Sequence, residues 1–190
     1  MVATPVIQLA LYLALYTGQR QGDLLKLMWS HYRDGRLYFR QGKGDRYMAV
    51  PCIARLRDLL DALRRSGDYT STHILTAKRG QPWKKRWFSS TFADTCQRAR
   101  ITGLTFHDLR GTSITLLSEA GCTEAEIAAI TGHSRKHVAQ ILERYTARTV
   151  LQANSAIDKL ENSLRTNSAN RLQTVRSLFS NSRGEDDASA

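Results

Sequence analysis

The segment from Pro5 to Tyr16 restricts the possible folds most, because apolar residues cover almost every side of the helix that it predicts. Thr4 and Pro5 are a typical N-cap and first-turn pair, and Thr17-Gly18 ends the helix. No cationic stretch precedes the segment, and it is too short to span a bilayer. It therefore predicts a buried helix on which the other elements pack, with these inward side chains: Val6, Ile7, Leu9, Leu11, Leu13 and Leu15.

The periodicity changes to extended segments between Arg36 and Pro51. Two short runs of β-forming residues flank a turn-rich stretch and predict a β-hairpin with Lys43 at its tip. A short strand is predicted over 73–75, and a helix through Leu24, Leu27 and Met28. Further helices are predicted over 53–65, with Ile53 inward, and over 87–100, 123–132, 138–145 and 147–164. We expect an α+β fold, mainly helical, with a small antiparallel β-sheet or hairpin at one edge.

The length of 190 residues and the hydrophobic content of 42% suffice for one full core. We expect a single domain over residues 1–164. Residues 165–190 are rich in Ser, Asn and Arg and predict a polar, disordered C-terminal tail, with a transient helix around 172–179. The three cysteines show no metal-ligand spacing, which is typical of reduced thiols in a cytosolic protein.

The net charge of +11 and the pI near 10 indicate a polyanionic partner, with nucleic acid first. A basic but unspecialised surface is the alternative. The segment from Lys78 to Trp87 interleaves two tryptophans with five cations, and we assign Lys84, Lys85 and Arg86 to DNA contact. A solvated charge run beside two indoles anchored in the core explains the same pattern equally well.

The stretch from Thr105 to Tyr145 carries the densest group of reactive side chains. Thr105 and Asp108 have the spacing of a capping box, so a helix is expected to open there with His107 and Arg110 on one face. The first turn of a helix has unpaired N–H groups and the positive end of the helix dipole, so it is a favourable place to bind a phosphate. Because Arg110 precedes an apolar run on the same helix, its guanidinium would be partly buried and would need an anionic partner.

Taken singly, the candidate residues have ordinary explanations. Arg20 is typical of a surface arginine paired with Asp23, Lys43 of a solvated turn residue, and His133 of a helix cap. As a set they supply what metal-free phosphoryl transfer requires, namely cations for the phosphorane, an acid for the leaving oxygen and a nucleophile. The set comprises Arg20, Lys43, His107, Arg110, His133 and Tyr145. Neither a carboxylate cluster for metals nor a glycine-rich nucleotide loop accompanies it, so no cofactor or metal is expected.

Four passages, in order, resemble the catalytic boxes of the tyrosine recombinase (phage integrase) family over roughly residues 4 to 150: Tyr16–Leu25, Gly42–Gly44 ahead of Val50-Pro51, Leu104–Arg110 and Thr131–Ser134. The resemblance implies that family's catalytic fold, with a structural role for Asp23. It also implies roles for the six candidates: Arg20 and Arg110 clamp the phosphate, Lys43 is the general acid, His107 an acid/base partner, His133 a phosphate ligand and Tyr145 the nucleophile.

The chain departs from the family pattern at two places. Tyr145 follows His133 by twelve residues rather than about nine, nearly one more helical turn. Family members normally carry a helical DNA-clamping domain before the catalytic one, and we expect this N-terminal core-binding domain to be absent from this chain. DNA affinity should then be weak and strongly salt-dependent. The helix after Tyr145 resembles the segment that packs onto a neighbouring protomer, with packing inside the same chain as the alternative.

The sequence thus predicts a site-specific DNA recombinase or integrase that works through a covalent 3′-phosphotyrosine without metal or ATP. Double-stranded DNA is the expected partner, with Arg135 as a further contact, and a homo-tetramer is expected on DNA. No membrane or small-molecule substrate is expected, and the location is the bacterial cytoplasm, at the nucleoid. Two alternatives remain, a non-catalytic regulator resembling a helix-turn-helix over 123–134 and a type IB topoisomerase.

Overall fold

The computed structural model describes residues 2–67, 71–145 and 154–165. The chain divides into two compact units, residues 1–146 and residues 147–190. The first unit holds every element labelled below except the last helix. The predicted domain boundary at residue 164 stays a prediction.

Helix α1 (Pro5–Thr17) lies in the centre of the core, as its sequence predicts. Thr4 accepts a hydrogen bond from the Ile7 N–H at 3.4 Å, and Gly18 ends the helix in the left-handed conformation at φ 60°. Ile7 and Leu13 are fully buried. Since burial of one such side chain stabilises a fold by about 1.5–3 kcal/mol, α1 anchors the helices that pack on it.

Strands β1 (Tyr32–Arg33), β2 (Arg36–Arg40) and β3 (Tyr47–Pro51) form an antiparallel meander in that order. The predicted hairpin is β2 and β3, and β1 extends it by one short strand. Inward and outward side chains alternate, so that the apolar ones lie on the core face: Leu37, Phe39, Met48 and Val50.

Two local predictions for this half of the chain are wrong. The helix expected through Leu24, Leu27 and Met28 is a single turn, α2 (Gln21–Leu24). A turn follows at residues 25–26, and Leu27 O then accepts a hydrogen bond from the Ile74 N–H at 2.9 Å. Met28 and His73 form an isolated β-bridge, so the strand expected over 73–75 is not formed either.

Helix α3 (Ala54–Ser66) buries Leu56 and Leu60 as expected. Ile53 is its N-cap residue and is 45% exposed, contrary to the inward position predicted for it. The side chain of an N-cap residue precedes the first helical turn, so it does not continue the apolar face.

Four helices complete the first unit: α4 (Lys85–Arg98), α5 (Asp108–Glu119), α6 (Glu124–Thr131) and α7 (Arg135–Tyr145). Phe88 and Phe92 of α4 meet the Phe106 ring edge to face, at 4.9 and 5.2 Å between centroids. A smaller apolar cluster around Ile114, Ile127 and Val138 joins α5, α6 and α7. The aromatic contacts fix the segment before α5 against α4, and α5 itself packs on α1.

In the second unit, α8 is helical over residues 154–165. Ile157, Leu160 and Leu164 of α8 are about half exposed. The predicted anchors Val150 and Leu151, and the tail predicted to be disordered, lie outside the described residues. No helix among the described residues is long and apolar enough to cross a membrane.

Candidate active site

The start of α5 is set by the carboxylate of Asp108. It accepts hydrogen bonds from the Thr105 N–H and the Thr105 hydroxyl, both at 2.7 Å. These bonds lower the pKa of Asp108. Thr105 does not cap α5 itself, so the helix begins two residues later than predicted and His107 is its N-cap residue. Arg110 consequently lies in the first turn.

The guanidinium of Arg110 is buried, with 3% of the residue exposed. Its Nη1 donates to the Gly18 carbonyl, and its Nε donates to His133 Nε2 at 3.0 Å. Nη2 is buried and has no hydrogen-bond partner in the described structure. Burial, and then the positive charge of Arg20, lower the pKa of Arg110 to about 9, so it stays cationic at neutral pH.

Arg20 occupies the N-cap position of α2, at the edge of the core. Its Nη1 is also buried without a hydrogen-bond partner in the described part of the chain. The surface ion pair with Asp23 is not formed, since no described carboxylate lies within ion-pair distance of Arg20. Asp23 instead accepts a hydrogen bond from the Gly42 N–H at 2.8 Å.

Two cationic groups therefore lie close together, each with an unsatisfied, buried N–H. A buried charge without a partner is strongly destabilising, and guanidinium groups bind oxyanions through paired N–H donors. The arrangement fits an anion with several oxygens, such as a phosphate.

His133 follows Gly132, which ends α6 in the left-handed conformation. The Thr131 hydroxyl donates to Ile127 O at 2.7 Å, so at 3.0 Å it can only accept from His133 Nδ1–H. His133 is then the neutral tautomer whose Nε2 accepts from Arg110. In this state the imidazole orients Arg110 and has no N–H left for a phosphate.

The charge state of His133 agrees with that tautomer. Burial lowers its pKa to about 3, and the positive charges of Arg110, His137, Arg20 and His107 add to the shift. His107 is exposed at the start of α5. Among the six candidates, Arg110 and His133 are in direct contact through their hydrogen bond, and the charges of Arg20 and His107 act on His133 from the same region of the fold.

Lys43 lies on the exposed turn between β2 and β3, as predicted. Asp23 holds the preceding residue, Gly42, and Arg46 Nη1 donates to His133 O at 3.3 Å on the other side of the turn. The turn is thus tied to the segments of Arg20 and His133. The Lys43 ammonium makes no hydrogen bond or ion pair with the described residues.

Tyr145 is the last residue of α7. The helix begins two residues after His133, so the longer spacing to the tyrosine is taken up by helix rather than by a loop. The side chain of Tyr145 lies outside the described part of the structure, and its meeting with the other candidates stays a prediction.

The basic segment is exposed at the start of α4, and Arg135 is exposed at the start of α7. Trp83 packs partly buried against the core, whereas Trp87 is 61% exposed with the Lys84 ammonium 4.9 Å from its ring centroid. Only one of the two indoles is therefore anchored in the core. Gln21, next to Arg20, donates to Lys85 O at 3.0 Å and so connects this segment to the site.

Sequence reasoning missed the buried amides of Gln19 and Gln41, which lie among the candidates. Thr131, which fixes the His133 tautomer, was missed as well. A glutamine beside the first arginine and one just before the hairpin turn are the only sequence signals for the amide pair. Among the described residues, no group of three His, Cys, Asp or Glu side chains is placed to hold a metal.

Fold and site together define a mainly helical α+β domain in which two arginines each keep a buried N–H without a partner in the described structure. The model of the Phage integrase family matches residues 4–151. The shufflon-specific DNA recombinase of Escherichia coli is 34% identical over 155 residues, covering 77% of this chain and 36% of the recombinase. The chain belongs to the phage integrase family, which confirms the resemblance predicted from its motifs.

Solved structures give the same assignment for the fold. The lambda integrase dimer bound to a COC′ core site has a TM-score of 0.63 and 27% identity, over 73% of this chain and 42% of that one. The lambda integrase catalytic core has a TM-score of 0.58 and 29% identity, over 68% of this chain and 81% of the core. The fold is thus similar to a tyrosine recombinase catalytic domain. The chain spans about a third of the length of the curated relatives it matches.

Proposed function

We propose that this chain is the catalytic region of a tyrosine-type site-specific DNA recombinase. The observation that carries the proposal is the pair of unsatisfied, buried N–H groups on Arg20 and Arg110, two cations that interact electrostatically, with Arg110 hydrogen-bonded to His133. Such a pair neutralises the charge that builds on the non-bridging oxygens of a phosphodiester during phosphoryl transfer.

In the proposed reaction the Tyr145 oxygen attacks the phosphorus and a 3′-phosphotyrosine bond forms. The bond from phosphorus to the 5′ oxygen breaks, and Lys43 supplies the proton to that leaving oxygen. His107 takes the phenolic proton, directly or through water. The neutral His133 holds the Arg110 guanidinium through Nε2 and so acts on the phosphate through Arg110. The direct phosphate contact that the resemblance implies for His133 would need the tautomer that carries its proton on Nε2.

Rejoining is the reverse step, in which a 5′ hydroxyl attacks the phosphotyrosine and restores a phosphodiester. Because one phosphoester bond replaces another, the energy of the broken strand is retained and ATP is not needed. No metal or cofactor takes part in the proposed chemistry.

Double-stranded DNA is the proposed partner, in the bacterial cytoplasm. Lambda integrase, whose fold is similar, has been solved as a dimer bound to a COC′ core site and as a tetramer bound to a Holliday junction. We propose a tetramer on DNA for this chain as well. Lys84, Lys85, Arg86 and Arg135 are exposed cations available for DNA phosphates.

Trapping of the covalent intermediate tests the proposal. The chain is incubated at low salt with a library of randomised, nicked duplexes. After cleavage the short fragment that carries the 5′ hydroxyl diffuses away, so the strand cannot be rejoined. The covalent adduct therefore accumulates and is detected on a denaturing gel. We expect an adduct with the wild-type chain and with Tyr47→Phe, an exposed tyrosine on β3. Tyr145→Phe should give none, and an adduct in that variant would contradict the assignment.

A regulator is the rival function, and one observation favours it. Helices α6 and α7 are joined by the three residues 132–134, as in a helix-turn-helix, with Arg135 exposed at the start of the second helix. A regulator would bind DNA and give no adduct under any condition. A type IB topoisomerase would relax plasmids of any sequence.

A further inference from the structure

Two buried glutamines join parts of the chain that are far apart in sequence. The Gln41 amide donates to Gln19 Oε1 at 2.6 Å and to Thr131 O at 3.1 Å. The Gln19 amide donates to Ile130 O at 2.7 Å and to Thr17 O at 2.8 Å. Ile130 and Thr131 end α6, where backbone carbonyls lack partners inside the helix. The glutamine pair, Gln19 and Gln41, therefore caps α6 from two remote segments.

Each end of this network is next to a candidate catalytic residue. Gln19 precedes Arg20, Gln41 lies two residues before Lys43, and Thr131 lies two residues before His133. The Gln41 amide packs so tightly against the Gly132 backbone that a Cβ built on Gly132 would overlap Gln41 Oε1. Both glutamines are 2% exposed, so water does not compete for their hydrogen bonds.

The turn that carries Lys43 depends on this network more than the rest of the site does. His133 has its own anchors in Thr131 and Arg110, and Arg110 is fixed on α5 and by the Gly18 carbonyl. The exposed turn over residues 42–46 is attached at Gly42 to Asp23, at Asp45 to the exposed Arg40 and at Arg46 to His133. The Gln41 amide, directly before the turn, is its fully buried attachment.

We propose that Gln41 is a positioning residue for the general acid: its amide sets where the Lys43 ammonium meets the leaving 5′ oxygen. The inference rests on the proposed recombinase function. It predicts that loss of the amide acts mainly on protonation of the leaving group, since a displacement of about 1 Å can cost about 10²-fold in rate.

A substrate with sulfur at the bridging 5′ position separates this role from a general loss of structure. A thiolate leaves without a proton, so cleavage of that linkage does not need the general acid. We expect Gln41→Met to slow adduct formation about 10²-fold on the oxygen ester and to approach the wild-type rate on the sulfur ester. Lys43→Ala should show the same pattern, and the double variant should be no slower than Lys43→Ala alone.

Two further variants keep the test decisive. Gln97→Leu alters an exposed glutamine of α4 and should leave both rates unchanged. If Gln41→Met melts below the assay temperature, Gln41→Asn, which keeps an amide on a shorter stem, replaces it, with the same pattern expected.

Equal slowing on both esters would overturn the positioning role, and so would an unchanged rate on the oxygen ester. Both outcomes require a wild-type chain that forms the adduct. If the wild-type chain forms none on either ester, the proposed function itself fails, and the two failures are thereby distinguished.

Discussion

Arg110 brings a positive charge into the interior with a histidine and a carbonyl as its partners. Removal of a charge from water costs several kcal/mol unless an opposite charge compensates it. Burial, and then the charge of Arg20, lower the pKa of Arg110, while the charge of Asp23 offsets part of the shift. The charge of Arg110 is therefore only partly compensated within the protein, and in the proposed function the anionic phosphodiester compensates the rest.

The neutral His133 makes stability depend on pH. Its pKa is about 3 in the fold against an ordinary value of 6.5, so between these values the unfolded chain binds more protons than the native one. Its contribution is complete above about pH 6.5 and is lost as the pH falls towards 3. From pH 7 to pH 5, wild type should lose about 2 kcal/mol of unfolding free energy more than His133→Asn in urea titrations. Equal losses would contradict the buried, neutral imidazole.

Gly132 is required both for its backbone conformation and for its lack of a side chain. Gly132 and Gly67 both end helices with φ near +70°, but nothing lies within 4 Å of a Cβ built on Gly67. Gly67→Ala should cost about 1–2 kcal/mol for the left-handed conformation alone. Gly132→Ala should cost about 1–3 kcal/mol more, because the methyl group would overlap the Gln41 amide. Thermal melts of the two variants check this, and equal melting temperatures would contradict it.

Among the helices, the sequence predicted those that have a capping residue at the N-terminus and a glycine at the C-terminus. Helix α1 has Thr4 and Gly18 at its ends, and α6 has Thr123 and Gly132. The capping box of α6 forms as expected, with Thr123 N–H donating to Glu126 at 2.6 Å and Glu126 N–H donating to Thr123 Oγ1 at 3.3 Å. These signals act within four residues, so the sequence alone suffices for them.

The errors lie where distant segments decide the structure. Leu24 and Leu27 are buried at helical spacing, yet the chain leaves the helix because Leu27 pairs with Ile74. The arginines, histidines and lysine of the site were predicted from motifs and chemistry. Gln41 was not, because it reaches Thr131 across 90 residues and buried amides follow no periodic pattern.

Helix α6 contains none of the six candidate catalytic residues, so its N-cap can be tested through stability alone. Thr123→Ala should lower the unfolding free energy by about 1 kcal/mol, since it removes the acceptor for the Glu126 N–H. Thr91→Ala, in the middle of α4, should change it little, since its hydroxyl bonds only a carbonyl one turn earlier. Urea unfolding measures both, and a neutral Thr123→Ala would show that α6 is held by its packing alone.

The net charge of +11 would supply a long-range attraction to the proposed DNA partner. Each phosphate contact that is lost should reduce the slope of log K against log salt by about 1. We expect that reduction for Lys84→Gln, Lys85→Gln and Arg86→Gln, measured by fluorescence anisotropy. Arg65→Gln, an exposed cation of α3 outside the basic segment, should leave the slope unchanged. Unchanged slopes for the first three variants would remove the basic segment from the DNA interface.

The proposed chemistry depends on Arg20 and Arg110 neutralising the charge of one phosphate. A methylphosphonate replaces one charged oxygen of that phosphate with a neutral methyl group, so a residue that neutralises the charge becomes less necessary. Adduct formation by Arg20→Ala and Arg110→Ala should be at least about 10²-fold slower than wild type on the phosphodiester. On the methylphosphonate the deficit should shrink by about tenfold or more. A deficit of the same size on both linkages would show that the arginines do not neutralise the scissile phosphate.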